Sequence, residues 1–383
     1  MNIEFEATVR DLSHKGLGVV DHPDGRVFFV RGVWPGDRGS FLVPEGAASY
    51  AEATLLTLLA PSAERVDVPC PHRGSTPGKC GGCPWMIANY SSQIHYKLKR
   101  LTHNLEKRGL SLRGMNLRPV LTSEEITGYR NRVQLKTDGL AIGYVSEGSS
   151  VLAPVEECLI LNPRLRELFQ ELRATLPRDD FRPSEGFHWN FIDLDDEMTL
   201  EDLRLNRRRP FRQGNSQQND VMKSWLRRKL EAIPRHHPVI DLFCGSGNFT
   251  EVFSEMGFEN ILAVEVQGVA LKELERRALP GVRILALDVD ERGAWARMAR
   301  LQPHARLLLT DPPREGMRKR RGLFKYLDNL ENILYVSCEP DTFSRDARDI
   351  SRCFGFVDLT PLDLFPHTPH LEILAHFHRP RPV

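Results

Sequence analysis

Two side chains towards the end of the sequence have residue types and settings suited to covalent catalysis. Cys338 follows an apolar run at 333–337 and precedes Glu339-Pro340, so a thiol is presented where a strand ends at a rigid turn. That placement favours a nucleophile over the alternative, a small core residue. Glu372 enters the apolar run 373–375, where an unpaired carboxylate is costly. We therefore predict that Cys338 is a nucleophile and that Glu372 is its accompanying base, rather than a surface acid.

The stretch 239–249, Val-Ile-Asp-Leu-Phe-Cys-Gly-Ser-Gly-Asn-Phe, predicts a buried strand, a glycine turn and a helix. Asp241 lies inside the strand and should hold the turn or a ligand. Short apolar runs predict four further strands, with helices between them, at 261–264, 283–287, 305–310 and 333–337. Parallel strands bind ligands at their carboxyl ends, and polar or reactive residues follow these four, namely Glu265, Asp288, Asp311 and Cys338.

This pattern indicates the kind of ligand. Acids one and two strands after a glycine turn suit ribose hydroxyls, and the turn lacks the G-x-G-x-x-G dinucleotide motif. Nicotinamide cofactors are therefore disfavoured, and S-adenosylmethionine fits better. A glycine turn alone would be equally well explained by packing. The two prolines after Asp311 make a rigid turn that presents its carboxylate to the same crevice.

Three cysteines, Cys70, Cys80 and Cys83, lie close together in a segment rich in glycine and proline. The C-x-x-C pair lets two thiolates reach one metal from one loop. Cys158 is the candidate fourth ligand because the remaining cysteines fall in or near the predicted sheet. Four thiolates suit a [4Fe–4S] cluster or a structural zinc ion, and His72 is either a neighbour or a replacement ligand.

The N-terminal and middle regions carry different patterns. Residues 1–60 alternate apolar and polar positions between glycine turns, which predicts a small β-barrel. Residues 61–230 predict an α+β domain with helices at 89–108 and 165–176 and strands at 129–136 and 142–144. Basic residues in two segments, 97–132 and 204–210, favour an RNA backbone as partner, although a solvated charged surface has the same pattern.

The length, charge and composition of the chain limit these interpretations. The length of 383 residues predicts two or three domains, and we divide the chain at 1–60, 61–230 and 231–383. The 52 Lys and Arg balance 51 Asp and Glu to a net charge of +1, so charge alone does not indicate nucleic-acid binding. Without an apolar run of membrane length or a signal peptide, the chain is expected to be cytoplasmic and monomeric. Cys244 and Cys353 are predicted to be structural.

Four motifs together resemble those of one family. They are Asp241-Leu-Phe-Cys-Gly-Ser-Gly-Asn-Phe249, Asp311-Pro-Pro-Arg314, Ser337-Cys-Glu-Pro340 and His370-Leu-Glu372. Over essentially its whole length the chain is similar to RNA 5-methyluridine methyltransferases that carry a TRAM domain and an iron–sulfur cluster. Three N-terminal stretches resemble the TRAM domain in particular, namely Gly16-Leu-Gly-Val19, Val27-Phe-Phe-Val30 and Trp34-Pro-Gly-Asp37.

The resemblance implies a multidomain α/β fold with an N-terminal TRAM or OB-like barrel, a central RNA-binding domain holding the iron–sulfur loop, and a Rossmann-like methyltransferase domain. It implies methylation of uracil C5 in RNA, with Cys338 adding to C6 and Glu372 removing the C5 proton. It implies a pocket for S-adenosylmethionine and uracil lined by Gln213, Phe243, Asn248, Glu265, Asp288 and Asp311. It also implies a [4Fe–4S] cluster held by Cys70, Cys80, Cys83 and Cys158.

The chain departs from the family pattern at two places. The segment between Cys70 and Cys80 is longer than the usual spacing, which leaves zinc as an alternative to the cluster. Glu339 stands where the family usually has Asn, and a neighbouring anion would raise the pKa of the Cys338 thiol. Gln213 is expected in a surface turn, where it has no structural task.

Three alternative functions are weighed against this one. A cytosine-C5 RNA methyltransferase would carry a Pro-Cys motif where this chain has Asp311-Pro-Pro-Arg314, and a radical S-adenosylmethionine enzyme would carry a C-x3-C-x2-C motif. A non-catalytic RNA-binding protein with a metal staple would leave Cys338 and Glu372 without a role. The combination of a TRAM-like domain and cluster cysteines looks more like the enzymes that modify 23S ribosomal RNA than those that modify transfer RNA. Transfer RNA stays the alternative substrate.

Overall fold

The computed structural model describes residues 2–113 and 115–379. The chain divides into two compact units. The first comprises Met1–Lys97, Glu124–Arg208 and Phe365–Pro369, and the second comprises Leu98–Ser123, Arg209–Leu364 and His370–Val383. The predicted division at 1–60, 61–230 and 231–383 stays a prediction. Within the described residues, none of the helices combines the length and apolar character needed to cross a membrane.

The N-terminal part of the first unit is a six-stranded sheet. Its strands are β1 (Asn2–Thr8), β2 (Asp11–Leu12), β3 (Gly18–Asp21), β4 (Val27–Val30), β5 (Arg38–Pro44) and β6 (Glu52–Ala60), in the order β1-β5-β6-β4-β3-β2. The predicted alternation is confirmed, because Phe5, Phe28 and Phe41 are buried on one side of the sheet and pack together.

The rest of the first unit contains a four-stranded antiparallel sheet and a helix. The strands are β7 (Arg132–Thr137), β8 (Ile142–Val145), β9 (Leu152–Pro154) and β10 (Asn190–Asp195), in the order β10-β7-β8-β9. Helix α2 (Pro163–Ala174) buries Leu165, Leu168, Phe169 and Leu172. It begins two residues before the predicted start because the Asn162 side chain caps it and Pro163 fits its first turn. The predicted helix at 89–108 is α1 (Tyr90–Lys107).

Part of the basic segment predicted to contact RNA is internal, which corrects that prediction. Lys97 is fully buried, and its ammonium group donates to the carbonyl of Phe365 at 3.1 Å. The Arg132 guanidinium pairs with the buried carboxylate of Asp193. Arg130 donates to the Arg132 carbonyl at 2.8 Å. Amphipathic spacing alone does not reveal these internal acceptors, so sequence reasoning placed the cations on the surface.

The second unit is built on a seven-stranded sheet in the order β13-β12-β11-β14-β15-β17-β16. Its strands are β11 (Val239–Leu242), β12 (Ile261–Glu265), β13 (Val282–Ala286), β14 (Leu307–Thr310), β15 (Asn332–Ser337), β16 (Gly355–Leu362) and β17 (Glu372–His378). The helices are α3 (Ser216–Leu230), α4 (Thr250–Glu255), α5 (Gly268–Arg276), α6 (Ala294–Leu301), α7 (Arg321–Tyr326) and α8 (Pro340–Ile350).

The five predicted parallel strands are confirmed to within one or two residues at most ends. Their apolar runs are fully buried in β11, β12, β14 and β15, as strands covered on both faces should be. The antiparallel β16 was not predicted. It contains Asp358 and Pro361, residue types that are depleted in strands, and it forms the sheet edge, where proline is tolerated.

The turn after β11 provides a test of how tightly this unit is packed. Gly247 has φ +91°, and an added Cβ would lie 2.5 Å from Leu274 Cδ1. Gly247→Ala should therefore destabilise the protein by about 2–4 kcal/mol through strain and overlap. Gly245→Ala is the matched control, because φ is +55° and its Cβ would meet open space, so the cost should be about 1 kcal/mol. Urea unfolding measures both, and equal losses would contradict the packing argument.

Candidate active site

Cys338 and Glu372 lie next to each other at the edge of the seven-stranded sheet that is formed by the carboxyl ends of its parallel strands. In the antiparallel pair of β15 and β17, Ser337 lies opposite Ile373, so Cys338 and Glu372 are the next residues along the two strands. Asp311 reaches the same edge from the parallel strand β14, where its backbone N–H donates to the Leu242 carbonyl at 3.2 Å. The structure thus brings together the thiol and the two carboxyl groups that the sequence placed at strand ends.

Burial and mutual repulsion raise the pKa values of these three groups. Burial raises the pKa of Glu372 to about 8, with Asp311 adding to the shift and Arg314 opposing it. Burial raises the pKa of the Cys338 thiol to about 12, and Glu372 and Asp311 contribute. The pKa of Asp311 rises to about 7 through burial and the neighbouring Asp241. A base with a pKa near 8 is strong enough to remove a proton from carbon in an activated adduct.

The glycine turn is held by two carboxylates. The Thr250 hydroxyl donates to one Asp241 oxygen at 2.5 Å, which ties the strand to the start of α4. The other Asp241 oxygen is buried without a hydrogen-bond partner in the described part of the chain. Glu265 accepts from the N–H groups of Gly245, Val266 and Gln267 at 3.1, 2.8 and 2.9 Å. Asp241 therefore holds the turn as predicted and retains an acceptor suited to a ligand donor.

The other four residues predicted to line the cofactor pocket differ in burial, backbone conformation and hydrogen bonding. Gln213 is buried, which corrects its expected place in a surface turn. Asn248 exchanges two hydrogen bonds of 2.9 Å with Asn219 of α3. Phe243 has φ +62° and is half-buried in the turn. Asp288 is exposed and accepts from the Asp290 N–H at 2.8 Å.

Glu339, the residue after the candidate nucleophile, is paired with a cation that sequence reasoning did not connect to it. Its carboxylate caps α8 by accepting from the Asp341 N–H at 3.5 Å. The guanidinium of Arg100 from α1 forms an ion pair with the same carboxylate, and both side chains are largely shielded. The sequence offered one indication of this ion pair, namely Glu339 itself, because an acid beside a reactive thiol needs a nearby cation to offset its charge.

The four cysteines predicted to bind metal line a single cavity in the first unit, namely Cys70, Cys80, Cys83 and Cys158. The Tyr144 hydroxyl lies 3.4 Å from Cys158 Sγ, and the Gly82 N–H lies 3.5 Å from Cys80 Sγ. Within the described residues, no three His, Cys, Asp or Glu side chains surround a point that one metal ion could occupy.

Hydrogen bonding and burial bear on three further predictions, which concern His72, Cys244 and Cys353. His72 accepts from the Glu156 N–H through Nε2 at 3.2 Å, and its role as neighbour or replacement ligand stays a prediction. Cys244 is buried, as a structural cysteine should be. Cys353 is exposed after the end of α8, which corrects the prediction that it is a structural residue.

The fold and the site define an α/β methyltransferase with an added β-rich N-terminal region. The structure is similar to that of the Pyrococcus abyssi tRNA (uracil-54, C5)-methyltransferase in complex with S-adenosyl-L-homocysteine, with a TM-score of 0.66 over 97% of this chain and 100% of that chain at 21% identity. This likeness shows a shared fold.

Sequence comparison is more specific. Residues 192–379 match the family model described as tRNA (Uracil-5-)-methyltransferase. The chain is 44% identical to an uncharacterised RNA methyltransferase of Nitrosomonas europaea, over 98% of this chain and 97% of that protein. It is 25% identical to the 23S rRNA (uracil(1939)-C(5))-methyltransferase of Francisella tularensis subsp. novicida, over 98% and 97%. The chain belongs to the RNA uracil-5-methyltransferase family, which supports S-adenosylmethionine as methyl donor.

The ion pair beside Cys338 can be tested directly. Arg100→Gln would leave the Glu339 anion uncompensated, so the pKa of the Cys338 thiol should rise by roughly 0.5–1 unit. Alkylation of Cys338 by iodoacetamide, followed on its peptide by mass spectrometry, should slow about three- to tenfold at fixed pH. Arg108→Gln, which removes a more exposed pair with Asp341, should change the rate little. Restoration of the rate in the Arg100→Gln, Glu339→Gln double variant would identify the carboxylate as the cause, and no restoration would exclude it.

Proposed function

We propose that this enzyme methylates C5 of a uracil in 23S ribosomal RNA through a covalent bond between Cys338 and C6 of the base. The observation that carries the proposal is the meeting of Cys338, Glu372 and Asp311 at the sheet edge that also holds the glycine turn. Burial raises the pKa of Glu372 to about 8, and Glu372 in turn raises the pKa of the Cys338 thiol, so the two groups lie close enough to act together. Together they are the groups that uracil C5 chemistry needs.

Each step of the reaction assigns a task to these side chains. The Cys338 thiolate adds to C6, and the electron pair of the C5–C6 bond forms an enolate that makes C5 nucleophilic. S-adenosylmethionine would supply the electrophilic methyl group, and the methyl–sulfur bond would break as the bond to C5 forms, which releases S-adenosylhomocysteine. The Glu372 carboxylate then removes the C5 proton, the C5–C6 double bond re-forms, and the C6–sulfur bond breaks to release Cys338. Arg314, which lowers the pKa of both groups, is placed to stabilise their charged forms.

We further propose that the donor is held by the residues around the glycine turn. The unpartnered oxygen of Asp241 is suited to an ammonium donor, and the acids at the strand ends suit hydroxyl groups. The proposed lining comprises Gln213, Phe243, Asn248, Glu265, Asp288 and Asp311. The carboxyl-rich setting complements the positive sulfonium of the donor.

The choice of RNA is supported by relatives rather than by geometry. Curated 23S rRNA enzymes match the chain almost end to end, at 25 to 28% identity. The family description and the Pyrococcus abyssi structure name tRNA, which is the second candidate. Mass-spectrometric mapping of 5-methyluridine in cellular RNA, with and without this protein, decides between them. Loss of the modification from tRNA alone would exclude the ribosomal substrate.

Two variants test the covalent mechanism. Cys338→Ala should abolish methyl transfer while leaving the fold and donor binding unchanged, because the thiol forms the bond to C6. Glu372→Gln should instead accumulate as a covalent complex with methylated RNA, since the C5 proton cannot leave. A denaturation-resistant protein–RNA band and its mass measure this, and 5-fluorouridine RNA should trap the wild type in the same way. A Cys338→Ala enzyme that still methylates RNA would refute the mechanism.

We also propose that Cys70, Cys80, Cys83 and Cys158 hold a [4Fe–4S] cluster and that the six-stranded sheet is a TRAM domain. The four thiols line one cavity, which supports a shared metal site, and four cysteine thiolates are the usual ligands of a [4Fe–4S] cluster. The cluster would cross-link two distant segments of the first unit.

The cluster can be tested on the purified protein. Protein prepared without oxygen should be brown and contain about four iron atoms. Cys83→Ala should lose iron and lower the stability of the first unit, because metal binding contributes to folding. Cys353→Ala, which removes an exposed cysteine, is the control and should keep both iron and stability. Colourless wild-type protein containing one zinc per chain would disprove the cluster while keeping a metal staple.

A further inference from the structure

A large basic cavity lies in the second unit, apart from the residues proposed to bind the methyl donor. It has a volume of about 830 Å³ and is formed by the start of α6, the segment before α7, and α7 itself. Six cationic side chains line it against two carboxylates, Glu291 and Asp349. None of the residues assigned to the donor, the nucleophile or the base belongs to its lining.

The six cations that line this cavity differ in whether they form ion pairs. Arg320 pairs with Asp346 and Asp349 and so fixes one wall of the cavity. In contrast, four exposed cations lie beyond ion-pair distance of every carboxylate in the described ranges, namely Arg292, Lys319, Arg321 and Lys325. Unpaired cations collected around a concave surface repel one another and attract an anion.

An aromatic side chain with a buried donor also lines this cavity. Trp295 lines it and is 5% exposed, yet its indole N–H has no hydrogen-bond partner within the described residues. The indole fits because residue 322 is glycine, since an added Cβ there would lie 2.2 Å from the Trp295 ring. The aromatic ring of Tyr326 also lines the cavity, with the Lys325 ammonium 5.0 Å from its centroid. The polar lining therefore offers mainly donors, together with an aromatic face.

We propose that this cavity is a second RNA-binding site, which takes backbone phosphates of a single-stranded segment flanking the reacting uridine. Several unpaired cations exceed the charge of one phosphate ion, and phosphates repeated along a strand match them. An aromatic ring beside cations suits an unstacked base. The inference rests on the proposed function in one respect, that the substrate is RNA.

The test removes three of the unpaired cations at once. In the full-length protein, Lys319→Gln, Arg321→Gln and Lys325→Gln are combined, and binding of a labelled single-stranded oligoribonucleotide is followed by fluorescence anisotropy over a range of salt. Affinity should fall tenfold or more, and the slope of log affinity against log salt should decrease by about 2. The triple variant should raise KM for RNA and leave kcat near that of the wild type.

A charge-matched control separates a local site from general attraction. Lys272→Gln, Arg276→Gln and Arg300→Gln remove three exposed cations of the second unit that do not line the cavity. This variant should lose less than threefold in affinity and keep most of the slope. Equal losses in the two triple variants would overturn the proposal.

Trp295 supplies a spectroscopic test that does not depend on charge. Binding of the oligoribonucleotide should quench tryptophan emission in the wild type, and Trp295→Phe should lose most of that quenching while keeping the fold. If orthophosphate at equal ionic strength gives the same quenching and the triple variant keeps its RNA affinity, the cavity binds free anions and the proposal fails. A wild type that transfers no methyl group to RNA would instead refute the proposed function, whatever the cavity binds.

Discussion

Burial of several carboxyl groups at one edge of the seven-stranded sheet is the constraint on which the candidate active site depends. Asp241 and Asp311 come from neighbouring parallel strands that end there, and Glu372 begins an antiparallel strand at the same place. Each has a raised pKa because water is excluded and the groups repel one another. A positively charged ligand is the natural complement of such an edge, and S-adenosylmethionine is one.

The same burial links the folding of the second unit to pH. The pKa values of Asp241 and Asp311 rise from 3.8 to about 7, and that of Glu372 rises from 4.5 to about 8. The folded state therefore binds these protons more tightly than the unfolded state does. This contribution to stability is complete below the ordinary pKa values and is lost as the pH rises through about 7 to 8. Binding of a cation near the carboxylates would offset the loss at neutral pH.

The sequence predicted those parts of the molecule that local pattern determines. The strands β11, β12, β14 and β15 are short apolar runs that are buried along their whole length. The convergence of Cys338 and Asp311 followed because parallel strands end at the same side of a sheet. Glu372 begins the antiparallel strand β17, and it was predicted from its position at the start of an apolar run and from the family resemblance.

Features that depend on distant partners were not predicted. Lys97 is buried because a carbonyl far along the chain accepts from it, and Glu339 is tolerated beside a thiol because Arg100 faces it. The edge strand β16 was missed because it contains Asp358 and Pro361, and proline is tolerated in a strand that forms a sheet edge. In each case the feature depends on a residue that is close in the folded structure but distant in the sequence, and the spacing of apolar residues does not reveal such a neighbour.

The antiparallel pairing of β15 and β17 limits where residues can be inserted or deleted without separating Cys338 from Glu372. Side chains alternate between the two faces of a strand, so a shift of one residue in this pairing would exchange Glu372 for Leu371 or Ile373 opposite the thiol. The same shift would drive the carboxylate into the apolar layer and expose buried leucine and isoleucine. Insertions between Cys338 and Glu372 are therefore tolerable only where they loop out and leave the register unchanged. Selection for a well-packed core thus preserves the alignment of nucleophile and base without acting on catalysis at all.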